Sequence, residues 1–99
     1  MAQQIVTLNI GYKVDLATAR ITFHDSWSSE LAERYGKKSD VVQGRLMVDA
    51  INDNGTVWPC VLEVKEMPGK TAPAREKAKM ALTTILNNGL AATKAVYGV

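Results

Sequence analysis

The chain has 99 residues, 46% of them hydrophobic and 22% charged, with a formal net charge of +2. That length supports one domain, residues 1–99, with a single core, and the composition is that of an ordinary globular protein. The charge falls far short of a polycationic nucleic-acid tail, no apolar run reaches membrane-spanning length, and Met1 to Gln4 lacks the basic start and apolar segment of a secretory signal.

Ile5 to Val14 reads as a strand, because Val6, Leu8, Ile10, Tyr12 and Val14 alternate with Thr7, Asn9, Gly11 and Lys13. Asp15 to Thr18 is a weak turn. Ala19 to Asp25 then continues as a second strand, with Ala19, Ile21 and Phe23 on one side and Arg20, Thr22 and His24 on the other. Ser26 or Ser28 can cap a short helix through Tyr35, with Glu30 in its first turn and Gly36 just past its end. Its narrow stripe of Trp27, Leu31 and Tyr35 is suited to lie over the second apolar face of the hairpin that follows, although the helix is too short to be stable alone.

Two strands follow, Gly44 to Ile51 and Thr56 to Glu66, and two turn readings compete between them. A two-residue turn at Asn54-Gly55 places Asp49 among apolar neighbours opposite Cys60. A three-residue turn, with Gly55 in the left-handed region, closes on Asn52 and Thr56 and aligns Ala50 with Trp58, Val48 with Cys60 and Leu46 with Leu62, with Val64 extending that face. Arg45 then falls opposite Glu63 and Asp49 faces water. A slip by one residue would exchange the faces, so the second register is the expected one. It leaves Met47, Ile51, Val57 and Val61 together on the opposite face, an apolar set whose cover is first another part of the same chain, next a partner subunit and last a small molecule.

Met67-Pro68-Gly69-Lys70-Thr71 reads as a loop, and Pro73 opens a long helix in its first turn, where a missing N–H costs little. Ala78, Ala81, Leu82, Ile85 and Leu86 form its apolar stripe, expected to dock on Leu46, Val48, Trp58 and Leu62. Asn87-Asn88-Gly89 either ends or kinks this helix, and Leu90 to Tyr97 continues as a second helical piece. The fold class is α+β: an antiparallel sheet of about four strands in the order β-β-α-β-β-α, with a long, kinkable C-terminal helix on one face. The order in which the two hairpins abut is open.

Chemistry-bearing constellations are sparse. His24 and Cys60 alternate to opposite sides of the sheet, so they do not make a nucleophile and base pair. Asp49 to Gly55 fails as a calcium loop, because the first ligand position is Ala50 and the bidentate position is Val61. Gly69-Lys70-Thr71 lacks the upstream glycine of a phosphate-binding loop, where Val64 stands. Cys60 alone cannot make an internal disulfide and suits a reducing compartment. No metal, cofactor or catalytic residue is expected.

The basic residues Lys65, Lys70, Arg75, Lys77 and Lys79 gather in sequence around the start of the long helix, where helix amides also favour phosphate. Exposed aromatics for base stacking are few, with Tyr12, Trp27, Tyr35 and Tyr97 as candidates. The expectation is a non-enzymatic, cytoplasmic or virion-borne homo-oligomer, a dimer first. Met47, Ile51, Val57 and Val61 would form its interface, and the basic helix start would contact RNA or single-stranded DNA. The alternative is a viral or phage coat-like or host-directed protein acting through protein contacts.

Overall fold

The computed structural model of the chain describes residues 4–24 and 41–99. The short helix expected to end at Tyr35 lies outside those residues. Four strands, β1 (Ile5–Thr7), β2 (Lys13–His24), β3 (Val41–Ile51) and β4 (Val57–Pro68), are followed by one helix, α1 (Ala72–Tyr97). The strands form a single antiparallel sheet in the order β1-β2-β3-β4, so the hairpins abut through β2 and β3. The helix packs along β3 and β4 and reaches β2, which gives the expected α+β architecture.

Both hairpins turn by the same device. Asn52 N–H donates to Thr56 O at 3.0 Å and Gly55 N–H to Asn52 O at 3.0 Å. Leu8 N–H donates to Tyr12 O at 2.7 Å and Gly11 N–H to Leu8 O at 2.8 Å in the first hairpin. Gly55 and Gly11 take φ of 81° and 88°, the left-handed region that a Cβ penalises. The Gly55 turn is the three-residue reading of the sequence, reinforced by the Asn52 side-chain oxygen, which accepts from Asn54 and Thr56 N–H.

The Gly11 turn corrects the sequence reading, which carried a strand from Ile5 to Val14 and placed the turn at Asp15 to Thr18. Instead β1 ends at Thr7, and β2 runs unbroken through those residues with a register shift between Asp15 and Arg20. Side chains stand in for ladder partners there. Asp15 Oδ1 accepts from Gln4 and Ala17 N–H at 3.1 and 3.0 Å. Thr18 Oγ1 donates to Asp15 O and accepts from Asp49 N–H. These bonds hold the extra residues inside the strand, and the shift puts even-numbered Val14 and odd-numbered Ile21 on the same face, opposite Ala50 and Leu46.

Near its turn the second hairpin has the expected register, with Ala50 opposite Trp58 and Val48 opposite Cys60. A bulge at Leu62 then shifts it, so Leu46 faces Glu63 and Arg45 faces Val64. The expected Leu46–Leu62 and Arg45–Glu63 pairs are therefore absent, and Val64 leaves the core face and is 44% exposed. Glu63 turns toward α1 and pairs with Lys65 at 3.6 Å. Both strands also run longer than expected, and Met67 and Pro68 belong to β4. Pro59 faces Asp49 and Pro68 faces Val41. Counting by alternation from the bonded Asn52–Thr56 pair, these are positions whose nitrogen points away from β3, where an edge strand accepts proline.

The helix is continuous across Asn87-Asn88-Gly89, neither ended nor split there. A Cβ on Gly89 would lie 2.5 Å from Glu63 Oε2, so glycine here admits the carboxylate against the helix backbone. Thr71 caps the N-terminus by accepting from Ala74 N–H at 3.2 Å, and Gly98 closes the C-terminus with φ 73°. Ala78, Leu82 and Leu86 are its buried residues, whereas Ile85, expected in the stripe, is 38% exposed. The first half of α1 covers Val42 and Met67, and Leu90 and Tyr97 in the second half cover the cluster of Val6, Val14, Leu16, Val48 and Ala50.

Candidate binding surfaces

Alternation along β3 divides the sheet. Val42, Gly44, Leu46, Val48 and Ala50 are buried under α1, while Gln43, Arg45, Met47, Asp49 and Ile51 between them are half-buried on the other face. Pairing fixes what accompanies each of them. Ile51 stands opposite Val57 and Met47 opposite Val61, so the four apolar residues expected on one face do share it. Val64 joins them from beyond the bulge, and Ile5 joins them from β1, opposite Asp15. Val57, Val61, Val64 and Ile5 are between 42% and 53% exposed.

The polar side chains of this face pair with one another. Arg20 Nη1 meets Asp49 Oδ1 at 3.1 Å, so Asp49 is not simply solvated. Arg45 Nε–H donates to Gln43 Oε1 at 2.9 Å, and Thr22 Oγ1 lies 3.0 Å from His24 Nε2. His24 stands on this face opposite Gln43, and Cys60 on the helix face opposite Val48, which keeps the two apart as expected. Among the described residues no group of three or more His, Cys, Asp or Glu could hold a metal ion.

The five basic residues near the helix start are not gathered into one patch. Arg75 is spent on architecture: its Nη1 donates to Val41 O at 3.2 Å and to Gly69 O at 3.3 Å, tying the start of β3 to the loop before α1. Lys79 pairs with Glu76 at 3.9 Å and sits 5.9 Å from the Phe23 ring centre, over β2. Lys65 pairs with Glu63 on β4. Lys70 and Lys77 are exposed and make no ion pair among the described residues. With about 100° per residue, Lys77 lies well round the helix from Leu82, on its solvent side.

At the far end of the sheet the ladder between β2 and β3 stops at Lys13–Ile51, and the two turns part. Between them lies a half-open cleft of about 240 Å³ lined by Tyr12, Lys13, Ile51, Asn52, Asp53 and Trp58. Tyr12 and Trp58 meet edge to face, with centroids 6.2 Å apart and planes at 84°. Sequence reasoning named Tyr12 as an available aromatic but missed the cleft. The signal was Gly11, whose turn carries Tyr12 beside the second turn.

No protein-family model, curated protein or solved structure matches the chain. Fold and surfaces together define a four-stranded α+β domain with one sheet face sealed by a helix and the other bearing an apolar band. No helix among the described residues is long and apolar enough to cross a membrane.

Proposed function

We propose that this chain is a non-enzymatic, oligomeric binding protein whose sheet face opposite α1 joins a second copy, forming a dimer. The observation that carries this reading is the shared face of Met47, Ile51, Val57 and Val61, widened by Ile5 and Val64. A contiguous apolar band flanked by internally paired polar groups is the pattern of a protein contact surface. The β4 edge is a poor alternative route, because two prolines, a bulge and charged side chains blunt it against strand addition.

Sedimentation or light scattering tests this directly. The wild-type chain is expected at twice its 10.8 kDa mass, and Val57→Asp with Val61→Asp is expected to give a folded monomer. A wild-type monomer at micromolar concentration overturns the reading.

A second reading, contact with RNA or single-stranded DNA, has one observation in its favour. The Thr71-capped end of α1 has no acidic residue in its first turn and is flanked by exposed Lys70 and Lys77. Retention on an oligonucleotide column that falls steeply with salt, and is lost in Lys70→Glu with Lys77→Glu, would support it.

A further inference from the structure

We propose that the cleft between the two turns binds a single nucleobase, with the attached phosphate at Lys13. This site lies at the opposite end of the sheet from Lys70 and Lys77, so it does not involve the helix start, and it shares Ile51 with the proposed dimer face.

Size sets the ligand first. About 240 Å³ falls below the ~300–1,000 Å³ of pockets that enclose a whole drug-sized molecule, so the cleft has room for one ring system and leaves its substituents outside. Wall chemistry comes next. Tyr12, Trp58 and Ile51 supply flat aromatic and aliphatic surface, which favours a planar ring. Tyr12 is 51% exposed, so much of its surface stands in water beside the cleft.

Polar groups then orient the ring. Asp53 comes from one wall and Lys13 from the other, so a complementary ligand needs hydrogen-bond donors at one end and an anion at the other. A nucleobase with ring or exocyclic N–H groups, carrying a phosphate on its sugar, has that polarity along its length. Asn52 is less free to contribute: its side-chain oxygen already accepts from Asn54 and Thr56 N–H, and its own N–H donates to Thr56 O. That bonding fixes the wall on which Asp53 stands. The matching turn fixes the other wall, since Gly11 and Tyr12 are held by their bonds to Leu8. Both sides of the cleft are thus set before a ligand arrives, which lowers the ordering cost of binding.

The base can arrive in a free mononucleotide or in a single strand, and amide-resolved NMR titration separates the two. GMP, guanosine and a short guanine-containing single-stranded oligonucleotide are added in turn to the wild-type chain. Saturable shifts at the Gly11, Tyr12, Asn52 and Asp53 amides and at the Trp58 indole are expected. Saturation by GMP assigns the free nucleotide, whereas saturation by the oligonucleotide alone assigns the strand. Tyr12→Ala is expected to weaken binding about tenfold through lost stacking. Lys13→Gln is expected to weaken GMP about tenfold while leaving guanosine unchanged. Should Tyr12→Ala lose the native spectrum, Lys13→Gln, at an exposed position, carries the test. No saturable shift with any of the three ligands overturns the proposal. So do shifts confined to Lys70 to Lys77, or equal affinity of Lys13→Gln and wild type for GMP.

Discussion

The two faces of the sheet are built from alternate residues of the same strands, yet they follow different rules. Under α1, Val42, Leu46, Val48 and Ala50 are at most 1% exposed; fully buried Leu82 packs with Val42, while Leu90 and Tyr97 pack against the cluster that contains Val48 and Ala50. One residue along, Met47 and Ile51 are only half-buried, and their partners Val61 and Val57 are 42% and 53% exposed. These apolar side chains are alike on the two faces. What differs is the cover that α1 gives, so the same kind of side chain is a core residue on one side and half-exposed on the other.

That contrast can be broken or sharpened by mutation. The largest effect is expected from Leu82→Ala, which opens a cavity beneath a fully buried helix position and should cost about 2–5 kcal/mol in denaturant unfolding. Next is a matched pair. Val48→Ala removes two buried methyl groups and should cost about 1.5 kcal/mol or somewhat more, whereas Val61→Ala should cost about 0.5 kcal/mol in a monomeric background. Equal losses for the pair would mean that the open face is as well packed as the sealed one. In the dimer, the Val61→Ala loss should grow with protein concentration, since association adds to apparent stability. The smallest effects lie at the turns, which belong to neither face. Gly11→Ala and Gly55→Ala should each cost about 1 kcal/mol and by similar amounts, because both force a Cβ into the left-handed region with no steric contact to add.

Those two turns also show how far the chain could be read in advance. Asn52-Asp53-Asn54-Gly55 announces its geometry, because three side chains suited to turns precede the glycine and the strands on either side fit one register. Asn9-Ile10-Gly11 makes the same turn with an isoleucine in the middle. Ile10, 73% exposed at the tip, keeps the apolar alternation going and disguises the turn as strand. In the same way Asp15 to Thr18 has turn-like polarity, which the fold spends on bonds that keep a distorted strand together.

The candidate surfaces were legible to different depths. The apolar set of Met47, Ile51, Val57 and Val61 followed from alternation and turn length, because both are local. The basic set was gathered by sequence proximity, and proximity does not say which way a side chain points. Arg75 is drawn to the Val41 and Gly69 carbonyls, and Lys79 to Phe23 and Glu76, by neighbours that pairing and packing bring in from elsewhere.

By itself the sequence determined that the chain is a two-hairpin α+β domain with a C-terminal helix, and that the second hairpin closes at Gly55 with apolar residues on both faces. Period and turn chemistry act within a few residues, so they survive without knowledge of the fold. Tertiary structure alone decided the Leu62 bulge, the unbroken path of α1 over Gly89, the fate of each basic side chain and the cleft between the turns. Each of these depends on which distant groups meet. Glu63 reaches the helix because the bulge turns it there, and Tyr12 meets Trp58 because the sheet sets two similar turns side by side.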